Sequence, residues 1–248
     1  MPPGPARLID RTPDWLGTRL RGVTDLLYPV ACLSCGETVS GPIRLCPDCR
    51  AELARMPEGR CPLCGRPDCP SGTTCGGCQR RPPAFAGVHA PLRYTEPLAG
   101  WIRQFKYGQE PGLEHTLAVL AAEGLDPWLA EAGVDLVVAT PLHRRRLAER
   151  GYNQALLLGR RLARARRLPF SGTALGRTRA TPPQASLPEA RRRANVRGAF
   201  VASPRKVAGR RIALVDDVVT TGATMDAAAR ALNAAGAAAV YVVAVARA

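Results

Sequence analysis

From residue 83 to residue 248, short aliphatic runs alternate with longer stretches in which apolar residues recur at three- and four-residue intervals. The aliphatic runs predict buried strands, and the periodic stretches predict amphipathic helices. Strands are predicted over residues 88–94, 135–140, 172–177, 212–215 and 239–246, and helices over residues 98–107, 113–132, 152–168 and 223–235. Strands that alternate with helices are typical of βαβ units, so we expect an α/β domain with a mainly parallel sheet covered on both faces.

The first third of the chain has a different pattern. An amphipathic helix is predicted over residues 13–27, and from there to about residue 81 Gly, Pro and Cys replace the aliphatic residues. Because such a segment has too few apolar side chains for a core of its own, another interaction has to order it. Pro82 and Pro83 mark a boundary. We therefore divide the chain into a helical lead-in (residues 1–28), a cysteine-rich module (29–82) and the α/β domain (83–248).

Eight of the nine cysteines form an internal repeat. The spacing Cys-x2-Cys-x10-Cys-x2-Cys occurs twice, first in Cys32, Cys35, Cys46 and Cys49 and then in Cys61, Cys64, Cys75 and Cys78. A Cys-x-x-Cys turn presents two thiolates to one ion, and a second pair completes a tetrahedral zinc site. We predict two structural Zn²⁺ ions, each held within one repeat, although interleaved pairing would use the same residues and reduced thiols without metal are the alternative. Cys69 lies outside both sets and is interpreted as a spare thiol.

The net charge of +15 comes from one part of the chain. Between residues 143 and 211, nineteen Lys and Arg face two acidic residues, and the basic stretch that follows the strand at 135–140 is predicted as a loop. Such a concentration indicates a polyanionic partner, either phosphate and pyrophosphate groups or single-stranded nucleic acid. A solvated arginine-rich surface is the alternative.

No run of about 18 apolar residues occurs, and the N-terminus lacks the charged and apolar regions of a signal peptide. We therefore expect no membrane insertion and a cytoplasmic location, in which thiols stay reduced and paired cysteines indicate metal rather than disulfides.

The strongest motif is IALVDDVVTTGAT at residues 212–224, in which an aliphatic strand leads through two carboxylates to a small-residue turn that opens a helix. Backbone amides in such a turn converge on an anion, assisted by the N-terminus of the helix. The amides available here belong to Thr220, Thr221, Gly222, Ala223 and Thr224. This turn, residues 220–224, is therefore predicted to bind a phosphomonoester, and we call it the phosphate turn.

Asp216 and Asp217 precede this turn and would repel a phosphate unless they addressed another part of the ligand. Vicinal hydroxyls, or waters on a bound Mg²⁺, suit two adjacent carboxylates. The motif therefore favours a sugar phosphate over a bare anion, although Asp217 could instead cap the helix. A Walker-type nucleotide loop is excluded because no Gly-Lys-Ser/Thr follows the strand.

These residues resemble a known family. The Asp-Asp and Thr-Thr-Gly-Ala-Thr run resembles the phosphoribosyl pyrophosphate motif of type I phosphoribosyltransferases, and the chain from about residue 31 onward resembles the ComF family. The resemblance rests on the cysteine clusters, Phe-Lys-Tyr at 105–107, PLHRRRLAERGYNQA at 141–155, TPPQASLPEARRRANVRGAF at 181–200 and the phosphate turn. It implies a type I phosphoribosyltransferase-like parallel sheet flanked by helices, with an N-terminal double zinc ribbon.

The resemblance also implies roles for particular residues. Asp216 and Asp217 would bind the ribose hydroxyls and help to place Mg²⁺, while residues 220–224 would hold the 5′-phosphate. Pyrophosphate contacts are expected from the basic stretch after residue 140, that is, from His143, Arg144, Arg145 and Arg146. Residues 177–197 resemble a mobile flap whose Arg191, Arg192 and Arg193 would close over the leaving group, with Arg192 in a catalytic role and Gln184 and Asn195 as orienting groups.

Two functions are compatible with the resemblance. One is a Mg²⁺-dependent phosphoribosyltransferase that transfers phosphoribosyl from phosphoribosyl pyrophosphate to a nitrogenous base with release of pyrophosphate. The other is a non-catalytic protein that binds single-stranded DNA during uptake in natural transformation, with the sugar-phosphate site as a sensor and a helicase-like protein as a partner.

Overall fold

The computed structural model describes residues 30–40, 43–67, 69–108, 110–180 and 195–248. The helix predicted over residues 13–27 lies outside this part of the chain, as do Gln184 and the three arginines at 191–193.

The cysteine-rich module consists of short elements. Its described strands and helices are β1 (Val30–Ala31), β2 (Thr38–Val39), α1 (Pro47–Ala51) and α2 (Gly76–Arg80). Strands β1 and β2 form an antiparallel pair. Helices α1 and α2 start directly after Cys46 and Cys75, the first cysteines of the second pair in each repeat. Equivalent cysteines thus occupy equivalent backbone positions in the two repeats.

The rest of the described chain alternates strands and helices. The strands are β3 (Gly87–His89), β4 (Leu92–Arg93), β5 (Leu136–Ala139), β6 (Phe170–Ser171), β7 (Leu175–Arg177), β8 (Phe200–Ala202), β9 (Arg211–Val215), β10 (Val218–Val219), β11 (Ala239–Val243) and β12 (Ala246–Arg247). The helices are α3 (Leu98–Tyr107), α4 (Leu113–Ala121), α5 (Leu125–Ala132), α6 (Arg144–Arg150), α7 (Gln154–Ala165), α8 (Pro204–Val207) and α9 (Ala223–Ala234).

The central sheet has five parallel strands in the order β3-β11-β9-β5-β6. Three of its strands continue after a short break, so that β10, β12 and β4 form a second parallel sheet in the same order. The single strands predicted over residues 88–94 and 239–246 are therefore each divided in two. Asp216 and Asp217 lie at the break between β9 and β10.

Alternate residues of β9 pack on opposite faces of the central sheet, as expected for a strand covered on both sides. Ala213 and Val215 belong to the apolar cluster formed with α3, α4 and α7, whereas Ile212 and Leu214 belong to the cluster formed with α9. The first cluster also contains Leu45 and Leu53 of the cysteine-rich module. The predicted α/β fold with a parallel sheet and flanking helices is confirmed.

Several elements differ from the prediction. The helix predicted over residues 113–132 is two helices, because Gly124 adopts φ +66°, a left-handed conformation that an α-helix cannot continue through. The stretch predicted as a basic loop contains α6, which begins after His143 and ends at Gly151 with φ +78°. Strands β6 and β8 were not predicted because runs this short carry little periodicity. Among the described residues, no helix has the length and apolar character to cross a membrane.

Candidate sugar-phosphate site and zinc centres

A cavity of about 450 Å³ lies where β5 and β9 end. Its walls come from the turns that follow these two strands, from the C-terminal end of α3, and from the facing sides of α6 and α7. In parallel α/β sheets this edge is where ligands bind, because the strand order leaves a crevice between the loops. Both of the predicted carboxylates and all five residues of the phosphate turn line this cavity.

The phosphate turn is held by the neighbouring strand and shaped by one glycine. The backbone N–H of Asp216 donates to the carbonyl of Val243 (3.0 Å), and the carbonyl of Asp217 accepts from the N–H of Val245 (3.0 Å). Gly222 then adopts φ +75° directly before α9 begins. Because this left-handed conformation is costly for residues with a Cβ, glycine allows the turn to present the first amides of α9 to the cavity.

Asp217 is buried and forms an ion pair with Lys106 at the end of α3, with Nζ 2.8 Å from Oδ1. Burial favours the neutral amine of Lys106, but the charge and hydrogen bond of Asp217, together with the charge of Asp216, outweigh this effect and raise the pKa of Lys106 above its ordinary value. Burial and the neighbouring charge of Asp217 raise the pKa of Asp216 to about 7, although Lys106 acts in the opposite direction. Two carboxylates thus share one lysine cation.

Three arginines also line the cavity: Arg146 and Arg150 on α6, and Arg177 at the end of β7. Burial, followed by the charge of Arg150, lowers the pKa of Arg146. Burial, followed by the charge of Arg146, lowers the pKa of Arg177. A bound anion would offset this concentration of positive charge, so the three arginines suit a second phosphate group.

The Tyr-Asn-Gln run at 152–154 fixes the walls of the cavity. The Tyr152 hydroxyl (2.6 Å) and the Gln154 amide (3.1 Å) donate to the carbonyl of Phe105, at the end of the helix that carries Lys106. The Asn153 amide donates to the carbonyl of Thr140 at the end of β5 (3.0 Å), while its oxygen caps α7. These residues therefore act by holding α3, β5 and α7 together around the site.

The structure separates the residues of the basic stretch into two groups. His143 caps α6, with Nδ1 accepting from the N–H of Arg145 (3.3 Å). Arg144 and Arg145 are exposed and do not line the cavity, and Arg145 instead pairs with Glu149 at 3.3 Å. Only Arg146, of the four expected pyrophosphate contacts, is among the lining residues. Helix α6 causes this separation, because consecutive residues of a helix face different directions.

Sequence reasoning missed Lys106, Arg150 and Arg177 as site residues. A signal existed for Arg150, which follows Arg146 by four residues and lies on the same helix face. Lys106 and Arg177 reach the cavity from separate elements, so no local spacing could have identified them. Asn195 does not line the cavity, and its carbonyl accepts a hydrogen bond from Arg179 (3.1 Å). Arg192, expected to take a catalytic role, lies outside the described residues.

The eight paired cysteines form two clusters, one from each repeat, and in each cluster the Sγ atoms all lie within 4.8 Å of one another. The sulfurs of Cys35 and Cys46 are 3.8 Å apart, and those of Cys64 and Cys75 are 3.7 Å apart. A tetrahedral zinc ion with Zn–S bonds of about 2.3 Å requires sulfurs about 3.8 Å apart. The donor sets therefore fit structural zinc, and pairing within each repeat is confirmed.

Two family models match different parts of the chain. Residues 23–79 match the family model "Double zinc ribbon domain", and residues 165–248 match the "Phosphoribosyl transferase domain". The "DNA utilization protein YhgH" of Escherichia coli (strain K12) is 34% identical over 88% of this chain and 96% of that protein. The "Competence protein F" of Haemophilus influenzae is 31% identical over 77% of this chain and 85% of its own length. The "Competence protein ComFC" of Bacillus subtilis is 26% identical over 76% and 78%, respectively. These relatives are similar to this chain over most of its length and most of their own. Together with the double zinc ribbon and the phosphoribosyltransferase-like sheet, this similarity identifies the protein as a member of the ComF family.

Proposed function

We propose that the cavity binds phosphoribosyl pyrophosphate together with Mg²⁺ and promotes transfer of the phosphoribosyl group to a nitrogenous base. The observation that carries this proposal is that one cavity is lined by the phosphate turn, by the carboxylates of Asp216 and Asp217 and by three arginines. A sugar with a phosphate at one end and a pyrophosphate at the other matches this set of groups.

The 5′-phosphate is assigned to the turn at residues 220–224. Backbone amides at the start of α9, with the partial positive charge of the helix N-terminus, provide donors for a phosphate. Thr220, Thr221 and Thr224 add hydroxyl groups at the same place.

The ribose hydroxyls and Mg²⁺ are assigned to Asp216 and Asp217. Carboxylates are the side chains that Mg²⁺ prefers, and Mg²⁺ would neutralise charge on the departing pyrophosphate. Ligand binding at Asp217 competes with its ion pair to Lys106, which frees the lysine cation for the ligand's own negative charge. Lys106 is then a second cation at the boundary between the sugar and its pyrophosphate.

The pyrophosphate is assigned to Arg146, Arg150 and Arg177. As the bond between the anomeric carbon and the pyrophosphate oxygen breaks, negative charge develops on the leaving group while the base nitrogen forms the new bond and loses a proton to solvent. Cations already in place stabilise that charge without reorganisation. The charge arrangement therefore supports leaving-group departure, and no covalent nucleophile is needed.

The proposal is tested by calorimetric titration of the zinc-loaded protein with phosphoribosyl pyrophosphate and Mg²⁺. We expect micromolar affinity that is lost when Asp216→Asn is combined with Asp217→Asn, whereas both zinc ions remain bound. The matched control combines Asp126→Asn with Asp135→Asn, which removes the same charge outside the residues that line the cavity. Absence of binding by the folded wild-type protein would refute the proposal.

Transfer is tested separately by pyrophosphate release in the presence of a panel of nucleobases. Substituting Arg146→Ala with Arg150→Ala is expected to reduce release far more than Arg144→Ala with Arg145→Ala, because only the first pair lines the cavity. Binding of phosphoribosyl pyrophosphate without release of pyrophosphate by any base would leave a sensor as the function of the cavity.

A second candidate function is binding of single-stranded DNA. The observation that favours it is the number of exposed basic side chains in the described part of residues 143–211, which contains one acidic residue, Glu149. The exposed basic residues are Arg144, Arg145, Arg160, Arg164, Arg167, Arg179, Arg197, Arg205, Lys206 and Arg210. The names of the relatives from Escherichia coli and Haemophilus influenzae also refer to DNA utilization and competence. A helicase-like partner is supported by the family resemblance alone.

This second function predicts affinity for single-stranded oligonucleotides that falls steeply as salt increases, because each neutralised phosphate releases a counterion. Replacing Arg160 and Arg164 by alanine should weaken DNA binding and flatten the salt dependence while the affinity for phosphoribosyl pyrophosphate stays unchanged, since neither residue lines the cavity. Salt-independent or undetectable binding would exclude this function.

A further inference from the structure

Arg247 on β12 connects the second zinc site to the phosphate turn. This guanidinium belongs to a residue only 5% exposed. Its Nε donates to the carbonyl of Cys64 (3.1 Å), a member of the second cysteine cluster, and its Nη1 donates to the carbonyls of Val219 (3.2 Å) and Thr220. One side chain thus contacts a predicted zinc ligand and the residues that lead into the phosphate turn.

The contacts to Val219 and Thr220 fix the direction of two amides. In a trans peptide the C=O of one residue and the N–H of the next lie in one plane and point in opposite directions. By binding the carbonyls of Val219 and Thr220, Arg247 therefore sets the orientation of the N–H groups of Thr220 and Thr221. Those amides are two of the five assigned to the 5′-phosphate.

The contact to Cys64 depends on the fold of the second cysteine cluster. The carbonyl that Arg247 binds belongs to a residue whose side chain is a zinc ligand, so its position depends on whether the ribbon holds its metal. A narrow gap lined by Cys64, Cys75 and Cys78 on one side and Thr221 and Gly222 on the other confirms that the cluster and the turn are neighbours. Loss of zinc would leave Arg247 without this anchor.

We propose that Arg247 is a positioning residue that couples the second zinc site to the phosphate turn, so that sugar-phosphate affinity depends on zinc in the second ribbon. The inference rests on the proposed function, because it assigns the 5′-phosphate to that turn. Arg247 acts through the backbone of residues 219–221.

The test compares Arg247→Met, Arg247→Lys and Arg93→Met in two measurements: calorimetry with phosphoribosyl pyrophosphate and Mg²⁺, and hydrogen exchange of the amides of residues 218–225. Arg93 is the matched control, because it lies beside Arg247 in the strand register of β4 and β12 but is exposed. Circular dichroism establishes that each variant is folded.

We expect Arg247→Met to lower the affinity about tenfold or more, the effect of losing a charge-assisted hydrogen bond, and to increase exchange at residues 220–222. Arg247→Lys, which keeps the charge, should give an intermediate result, and Arg93→Met should match the wild type. Wild-type exchange and affinity in folded Arg247→Met would overturn the proposal. If that variant does not fold, Arg247→Lys and the zinc variants below provide the same comparison.

A double-mutant cycle tests the coupling to zinc. Cys75→Ser with Cys78→Ser removes zinc ligands without altering the residue that Arg247 contacts, and we expect the same increase in exchange at 220–222. Combining these changes with Arg247→Met should add little, because both remove one connection. Fully additive effects would overturn the coupling. Hydrogen exchange needs no ligand, so wild-type protein that fails to bind phosphoribosyl pyrophosphate but shows this pattern would refute the proposed function and leave the coupling intact.

Discussion

The two zinc ribbons, the first in residues 30–40 and 43–55 and the second in residues 61–67 and 69–80, have the same cysteine spacing but pack against different parts of the molecule. The first contributes the buried side chains of Leu45 and Leu53 to the apolar cluster around α4. The described part of the second ribbon, residues 61–67 and 69–80, buries only Cys61, Gly65 and Cys78. The first ribbon is therefore attached as part of the hydrophobic core, whereas the second lies beside the phosphate turn.

Equivalent glycines in the two repeats show the same difference. Gly36 and Gly65 follow the second cysteine of each repeat with positive φ, at +79° and +66°. A Cβ on Gly36 would meet no atom within 4 Å, but one on Gly65 would lie 3.5 Å from Val88 and 4.0 Å from Arg247. Identical local chemistry thus gives a free turn in one ribbon and a packed contact in the other. A duplicated metal site can serve stability in one copy and site geometry in the other.

The largest expected effect comes from breaking the first ribbon. Cys32→Ser should reduce the zinc content from two ions to one and lower the free energy of unfolding by several kcal/mol, because the metal orders a segment that contributes to the main core. Atomic absorption and denaturant unfolding measure the two quantities. Retention of both zinc ions would contradict the assigned donor set.

Leu53→Ala separates packing from metal binding in the first ribbon. Leu53 is 4% exposed within the main apolar cluster, so its truncation is expected to cost about 3 kcal/mol of unfolding free energy. Zinc content and affinity for phosphoribosyl pyrophosphate should not change. Leu63→Ala, in the less buried second ribbon, is the comparison and should cost less. Equal losses at both positions would remove the distinction between the ribbons.

His89 and Asp216 should take up protons in different pH ranges in the folded protein. Burial lowers the pKa of His89 from 6.5 to about 4, so the unfolded chain takes up a proton at this residue before the folded chain does. Compared with His89→Leu, the wild type is therefore expected to lose about 2 to 3 kcal/mol of unfolding free energy between pH 6.5 and 4. The variant is the reference because the raised pKa of Asp216 stabilises the folded protein over the same range. Equal pH dependence of the unfolding free energy in the wild type and in His89→Leu would contradict the assignment.

Affinity for phosphoribosyl pyrophosphate should decline at a higher pH than the one at which His89 becomes protonated in the folded protein. Because the pKa of Asp216 is raised to about 7, its carboxylate becomes protonated as the pH falls through neutrality, while His89 is still neutral. Titration calorimetry between pH 8 and 6 is expected to show about tenfold weaker binding at the lower pH. Constant affinity across this range would show that binding does not depend on a titration of Asp216 near neutral pH.

The smallest effect is expected at the ion pairs that join the first ribbon to the rest of the molecule. Glu123 contacts Arg50 (2.9 Å) and Arg55, and both arginines are partly exposed. Glu123→Gln should therefore lower the unfolding free energy by about 1 kcal/mol or less, and the loss should shrink at high salt. A loss comparable with that of Leu53→Ala would mean that charge rather than apolar packing attaches this ribbon.

Local sequence predicted much of the fold. Helix α3 has the predicted bounds, and β9 with the start of α9 lies where the phosphate motif placed them. Prediction was poorer where short-range signals were weak or conflicting. The helix α6 was missed because its arginine-rich sequence has little apolar periodicity, and the break at Gly124 was missed because an isolated glycine is tolerated in helices.

The sequence by itself determined the two zinc sites, the alternation of strands and helices, and the phosphate turn with its two carboxylates. Each of these depends on residues close together in the chain, so spacing and local conformation were sufficient. Only the tertiary structure decided which cations meet the carboxylates and which ribbon meets the phosphate turn. Arg247 and Cys64 are 183 residues apart in sequence, and their contact follows from how strands β3, β11 and β12 and the second ribbon pack. Such long-range pairings are set by burial of the whole core, which no local pattern encodes.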